Sequence, residues 1–398
     1  MGLSDTPRAN RLHIGIFGKR NSGKSTLINA LTGQEIALVS EVAGTTTDPV
    51  YKSMEIYGIG PCVFIDTAGF DDEGELGRMR VDKTRRAAEK TDIALMVFSD
   101  DDMVEEFKWI EVLRGRNTPV IAVINKTDIL NNTEEIFRRI REESGLSPIS
   151  ISAKKETAIE KIRNEIIRLL PEDYDTVSIT GSLVKEGDVV LMVMPQDIQA
   201  PKGRLILPQV QTLRELLDKK SIVLCTTTDK MDEALKSLSQ PPNLIITDSQ
   251  IFKTVYEKKP GQSKLTSFSV LFANYKGDLD YFVKSASTIE LLDENSKVLI
   301  VEACTHAPLE EDIGRVKIPD LLRKKIGEGL KVDMVSGADF PEDLSSYSLI
   351  IHCGACMFNR KHVLSRVKQA RAEEIPMTNY GVVLAYLSGI LDHITLPG

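Results

Sequence analysis

The run Gly18-Lys19-Arg20-Asn21-Ser22-Gly23-Lys24-Ser25 constrains this chain more than any other feature. It follows an apolar stretch, Leu12 to Phe17, and precedes an amphipathic pattern that begins near Lys24. Strand, glycine-rich turn and helix in that order build a phosphate cradle. Gly18 and Gly23 let the main-chain N–H groups of the turn, those of Asn21 and Ser22 among them, face inward, and the helix start adds its positive dipole end. Lys24 reaches the β and γ phosphates, Ser25 offers its hydroxyl to Mg²⁺, and Thr26 follows on the same helical turn. Such a cradle needs a sheet behind it. Strand-like runs at Lys52 to Tyr57, Cys62 to Asp66, Ile93 to Phe98, Val120 to Asn125 and Ile149 to Ser152, mostly separated by helical patterns, read as a doubly wound α/β domain. The turn Gly58-Ile59-Gly60-Pro61 is too short for a crossover helix, so the second and third strands are expected to pair antiparallel.

Three later words fall at the carboxyl ends of those strands. In Asp66-Thr67-Ala68-Gly69, Asp66 is placed to hold the metal through water and the Gly69 amide to meet the γ phosphate. In Asn125-Lys126-Thr127-Asp128, the Asp128 carboxylate accepts from two N–H donors on a guanine edge, a pattern adenine lacks. Ser152-Ala153-Lys154 turns a backbone amide toward the guanine carbonyl. Together these residues resemble the translation-factor-related small GTPases over residues 12 to 170, which implies GTP and GDP as ligands. Gly44-Thr45-Thr46-Thr47-Asp48 is similar to switch I of the TrmE/Era-type members. By that resemblance Thr46 ligates Mg²⁺ in the GTP state, with the register among three threonines open by one. The same resemblance implies that Asn21 ligates K⁺ beside the phosphates; the alternative is an asparagine favoured by a tight turn. Phe70 stands where many GTPases place the glutamine that orients attacking water, so unaided hydrolysis is expected to be slow, regulatory, and faster in K⁺ than in Na⁺.

A chain of 398 residues exceeds one domain of about 150. The helical run Ile159 to Leu170 stops at Pro171 and a polar stretch follows, which sets a first boundary. The expected division is 1–175 for the nucleotide domain, 176–264 for a smaller α/β unit and 265–398 for a third. The middle unit has strand patterns at Val189 to Met194, Ile222 to Thr226 and Leu244 to Thr247. The third has an apolar run at Phe268 to Ala273 and strands at Lys297 to Val301, Val332 to Val335 and Leu349 to Ile351, with helical patterns between. A net charge of -8 gives no global positive field for nucleic acid or an anionic membrane, and 6% aromatic residues offer little for base stacking. No apolar run approaches the roughly 20 residues of a membrane span, and the opening MGLSDTPRANR lacks an apolar signal core, so a cytoplasmic protein is expected.

Five cysteines are too few and too odd for a disulfide framework. Three of them fall into two words, Cys304-Thr305-His306 and His352-Cys353-Gly354-Ala355-Cys356, each following an expected strand, so a parallel sheet would open both onto one edge. Cys-x-x-Cys sets two thiolates on one turn, and Cys-x-His adds another thiolate and an imidazole. A closed zinc tetrahedron and a cubane held by three cysteines fit this spacing equally. A redox pair of Cys353 and Cys356 leaves Cys304 and both histidines unexplained. Cys62 and Cys225, inside strand-like runs, read as small buried hydrophobes, and His13 and His393 as structural or surface residues.

The order of these parts, with Met377-Thr378-Asn379-Tyr380-Gly381 near the end, resembles the HydF family, the GTPase maturases of FeFe-hydrogenase. That resemblance implies a 4Fe-4S cluster on Cys304, Cys353 and Cys356, with His306 and His352 as a fourth, exchangeable ligand or as its support. It also implies a homodimer formed through the middle domain and a scaffold that carries a transient di-iron precursor to apo FeFe-hydrogenase. Its partners would be the radical-SAM maturases HydE and HydG. The basic stretch Arg360, Lys361, Arg366, Lys368 and Arg371 reads as a solvated helix face; docking an acidic partner or holding an anionic iron precursor is the functional alternative. A competing reading is an RNA- or ribosome-associated assembly GTPase with a zinc-stabilised C-terminal domain. Against it, the C-terminal third has no excess of lysine and arginine over acids. A zinc hydrolase fits poorly, because no histidine pair lies beside a general-base carboxylate.

Overall fold

Every residue of β1 (Leu12–Phe17) is buried, the mark of a strand covered on both faces. The computed structural model describes residues 11–32, 50–56, 60–69, 74–170, 177–195, 205–302, 313–337, 339–355 and 358–397, without the side chains of 50, 52–56, 60 and 74–80. In chain order β1 is followed by α1 (Lys24–Thr32), β2 (Val50–Ile56), β3 (Gly60–Asp66), α2 (Gly74–Ala88), β4 (Ile93–Phe98) and α3 (Val104–Gly115). Then come β5 (Val120–Ile124), α4 (Thr133–Ser144), β6 (Ile149–Ser150) and α5 (Ile159–Arg168). The strands form one sheet in the order β2-β3-β1-β4-β5-β6, with β2 antiparallel to β3 and the other pairs parallel. Ile14, Ile16, Leu95 and Val97 pack on one face with Leu27 of α1 and Ile162 of α5. Met96 and Phe98 point the other way, toward Ile110 of α3 and Ile140 of α4. This alternation inside wholly buried strands holds both helical layers and leaves the carboxyl ends of β1, β3 and β5 free to carry loops.

Residues 1–175 and 176–398 form two compact units. The second contains two four-stranded parallel sheets. The first of these uses β7 (Val189–Val193), α6 (Leu207–Asp218), β8 (Ile222–Thr226), α7 (Met231–Ser237), β9 (Leu244–Thr247), α8 (Phe252–Lys258), β10 (Lys264–Ser267) and α9 (Phe268–Lys276), with strand order β10-β9-β7-β8. The apolar run at Phe268 is thus the start of a helix, capped by Ser267, whose Oγ accepts from the Val270 amide at 3.2 Å. β8 is an edge strand with β7 as its partner; Ile222 is 59% exposed and Cys225 is exposed. This corrects the expectation of a buried thiol at Cys225, because an edge strand lacks the lateral cover of a central one. Cys62, on β3 inside the first sheet, is buried, and burial pushes its thiol up to about 12.

The last sheet uses α10 (Leu279–Ala286), β11 (Lys297–Glu302), α11 (Ile318–Ile326), β12 (Lys331–Ser336), β13 (Leu349–His352), α12 (Arg360–Ala372), β14 (Met377–Asn379) and α13 (Tyr380–Leu387). Its order is β12-β11-β13-β14, all parallel. Leu191 and Ile245 of one sheet share an apolar cluster with Leu299 and Ile350 of the other, bridged by Val270, Phe282 and Val382. A common core therefore unites the two sheets. Among the described residues no helix is long and apolar enough to cross a membrane.

Candidate functional site

The P-loop leaves β1 at Phe17 and enters α1 at Lys24. Gly18 and Gly23 take φ of 151° and 88°, which side-chain-bearing residues rarely adopt. Asn21, at φ 58°, is left-handed too, a conformation asparagine tolerates, so turn geometry is one sufficient cause for its presence. Lys24 is buried, and its Nζ donates to the carbonyls of Gly18 at 2.9 Å and Lys19 at 2.7 Å. Ser25 Oγ donates to Asp66 Oδ2 at 2.7 Å, which brings together the hydroxyl and carboxylate that a Mg²⁺ ion beside the phosphates needs. Thr67 Oγ1 donates to the Ile16 carbonyl at 2.6 Å and fixes the end of β3 against β1. A Cβ on Gly69 would lie 2.6 Å from the Arg20 backbone nitrogen, so a side chain there would collide with the P-loop.

The base side is organised by Asn125, which is 2% exposed. Its Nδ2 donates to the Ser22 carbonyl at 3.0 Å, and its Oδ1 accepts from the Ala153 amide at 3.0 Å. One side chain thus ties the phosphate loop to the loop after β6. Asp128 Oδ1 accepts from Ser152 Oγ at 2.8 Å, and this bond holds the carboxyl below its ordinary range, ionised as guanine recognition requires. Lys126 is left-handed at φ 62°, and the Thr127 amide donates to the Ile151 carbonyl at 3.1 Å, so the two base loops brace each other. Lys154 is exposed at the rim. Thr46 and Phe70 lie outside the described residues.

Sequence reasoning missed a charged cluster against the P-loop. Lys19 is 8% exposed, and its Nζ lies 2.8 Å from Asp102, 3.3 Å from Asp100 and 4.0 Å from Glu106 of α3. Burial works against the lysine's charge, but the Asp102 bond and the fields of Glu106 and Asp100 outweigh it and hold its pKa above the ordinary value. Glu106 is 2% exposed, and burial pushes its carboxyl up to about 7. The lysine charge is shared with two nearer carboxylates, so it does not offset that burial. The available signal was the acidic run Asp100-Asp101-Asp102 followed by Glu105-Glu106, facing a lysine in a loop built for anions.

The described part of the second constellation, His352 and Cys353, lies at the carboxyl edge of the last sheet. Val301 of β11 is in register with His352 of β13, and the Cys353 amide donates to the Val301 carbonyl at 2.9 Å. After Cys353 the chain turns through Ala355, left-handed at φ 48°, whose amide points at Cys353 Sγ from 3.4 Å. An amide aimed at sulfur stabilises a thiolate, which suits a metal ligand. His352 is 1% exposed; its Nδ1 lies 2.7 Å from the Cys353 carbonyl and its Nε2 2.9 Å from Arg366. Cys304, His306 and Cys356 lie outside the described residues. Arg366 is 3% exposed, which corrects its reading as part of a solvated face: α12 turns it inward, against Phe340 and Phe358. Lys368 and Arg371 stay exposed, the latter paired to Asp278 at 2.6 Å, while Arg360 and Lys361 are half-buried.

The N-terminal fold and this site define a P-loop GTPase domain; the 50S ribosome-binding GTPase family matches residues 13–126. Beyond it, the hydrogen maturase F dimerization domain matches residues 179–277 and the hydrogen maturase F tetramerization domain residues 280–397. The chain belongs to the hydrogen maturase F family. GTPase Der of Wolinella succinogenes is 36% identical over 177 residues, covering 40% of this chain and 36% of its own length. The tRNA modification GTPase MnmE of Burkholderia lata is 34% identical over 160 residues, covering 40% of this chain and 34% of its own. The chain thus spans about a third of the length of these curated relatives. A solved structure of Aquifex aeolicus Era bound to GDP.AlF4- is 22% identical with a TM-score of 0.37, covering 57% of this chain and 98% of that one.

Proposed function

We propose that this chain is a GTP-hydrolysing switch of hydrogenase maturation joined to an iron–sulfur scaffold. The reading is carried by one observation: the P-loop site stands at the head of a chain whose remaining length matches two hydrogen maturase F domains. Lys24 and the P-loop amides bind the phosphates, Ser25, Thr46 and Asp66 hold Mg²⁺, Asn21 holds K⁺, and Asp128 with Ala153 reads guanine. Phe70 leaves hydrolysis slow, as suits a switch. Cys304, Cys353 and Cys356 hold a 4Fe-4S cluster, whose exchangeable iron site would support a di-iron precursor bound for apo FeFe-hydrogenase. The expected division into 1–175, 176–264 and 265–398 assigns these tasks to separate parts, with its second boundary moved beyond α9 because β10 pairs with β9 in the middle sheet; HydE, HydG and the hydrogenase are the partners of a cytoplasmic protein. The exposed edge of β8, within the segment matching a dimerization domain, supports pairing with a second copy through that strand.

Anaerobic reconstitution with iron and sulfide, followed by metal analysis and EPR of the reduced protein, tests the scaffold. About four irons per chain, lost when Cys304, Cys353 or Cys356 becomes serine, is the expected result. Stoichiometric zinc without an EPR signal would replace it with the zinc-stabilised assembly GTPase.

A further inference from the structure

The turn that carries Cys353 rests on two buried cations. Lys276, the last residue of α9, is 2% exposed, and its Nζ donates to the carbonyls of Ala355 at 3.0 Å and Phe358 at 2.8 Å. A buried lysine is rare because removing an ammonium from water is expensive, and its position at a helix C-terminus recovers part of that loss. Arg360 Nε adds a bond to the Tyr275 carbonyl at 3.2 Å and fastens the start of α12 to the same end of α9. From the other side Arg366 donates to His352 Nε2 and, at 2.8 Å, to the Gly337 carbonyl.

The donor and acceptor inventory fixes the histidine. A carbonyl oxygen only accepts and a guanidinium only donates. His352 therefore carries its proton on Nδ1, facing the Cys353 carbonyl, and gives its Nε2 lone pair to Arg366. Neither nitrogen can reach a metal unless one of these bonds breaks.

We infer that Lys276 and the Arg366–His352 pair are positioning residues of the metal centre: they hold the turn after Cys353, place positive charge on its backbone carbonyls and on His352, and keep His352 outside the ligand set. The inference rests on the cluster reading above. Positive charge close to an anionic cluster favours the reduced form, so removing it makes the midpoint potential more negative.

The experiment uses the full chain, anaerobically reconstituted, with wild type, Lys276→Met, Lys276→Arg, Arg366→Met and His352→Asn. Iron and sulfide per chain, an EPR-monitored redox titration and pulsed-EPR nitrogen couplings are read for each. Expected are a more negative midpoint and a several-fold loss of cluster content in Lys276→Met, restoration in Lys276→Arg, and no strong nitrogen coupling that His352→Asn removes. Arg366→Met should lower the midpoint as well. Unchanged midpoint and content in Lys276→Met and Arg366→Met would overturn the charge assignment, and a strong coupling lost in His352→Asn would overturn the histidine assignment. If Lys276→Met fails to fold, Lys276→Gln and Arg366→Gln, which keep a donor and lose the charge, are judged by the same midpoints. A wild type that binds no iron refutes the cluster reading instead, a distinct outcome.

Discussion

Glu106 gives the sharpest quantitative test of how the P-loop is held. Its carboxyl is 2% exposed and is pushed up to about 7 by burial, with Asp100 and Asp102 adding repulsion and Lys19 at 4.0 Å too shared to compensate. In the unfolded chain it titrates as an ordinary glutamate. Between those two pKa values the folded state binds the extra proton, so the carboxyl favours folding at low pH, and that stability is lost as pH rises toward 7. The difference amounts to ~3 kcal/mol, roughly 5–10 °C in the unfolding midpoint of a unit this size. Glu106→Gln keeps the shape and cannot ionise. Thermal unfolding of wild type and variant should therefore give curves that converge near pH 5 and separate toward pH 8, with the variant the more stable at pH 8. Curves that stay parallel across that range would refute the argument, because a constant offset means the carboxylate is solvated or fully paired. The same variant should remove the pH dependence of GDP affinity that ionisation of Glu106 gives wild type, since the Lys19 carbonyl is an acceptor of Lys24.

Replacing Asn125 with alanine removes both bonds that join the phosphate and base loops; fluorescent GDP titration should show affinity weakened by about one to two orders of magnitude. Asp128→Asn reverses the donor pattern offered to the base, so competition assays should show guanine preference fall by roughly 100-fold and xanthine nucleotides bind in its place. Phosphate release should be faster in KCl than in NaCl, and Asn21→Ala should abolish the difference; equal rates in the two salts refute K⁺ at Asn21. Ile222→Lys places a charge on the edge of β8 and should shift sedimentation of the full chain toward smaller species, with far-UV circular dichroism unchanged.

The elements legible in the sequence were those whose burial leaves no choice. β1 and β4 are buried throughout, apolar but for His13 of β1, because both faces are covered, and their ends were readable to the residue. The short connection before Pro61 revealed the antiparallel β2–β3 pair through chain length alone. The P-loop, Asp66, Asn125, Asp128 and Ser152 were legible because phosphate and guanine chemistry demand particular groups at strand ends. Lys19, Glu106 and Lys276 were not, since a lone charged residue in a sequence looks solvated, and its partners lie far along the chain. Cys225 misled for the converse reason: an apolar run does not disclose whether its strand is central or at an edge. β14 and α13 were hidden because three residues of strand leave too short a pattern to read.

The register of Val301 with His352 bears on the order of events in the cell. Two parallel strands from distant parts of the chain, β11 and β13, must pair before Cys353 is set beside the end of β11. Such non-local closure is slow and comes late in folding. Unlike a zinc finger, whose metal nucleates its fold, this domain has a shared apolar core to fold around first. On the cluster reading proposed above, loading would then be a separate step on a finished protein, open to control by whatever delivers iron, and the newly made chain would have to keep its thiols reduced until that delivery.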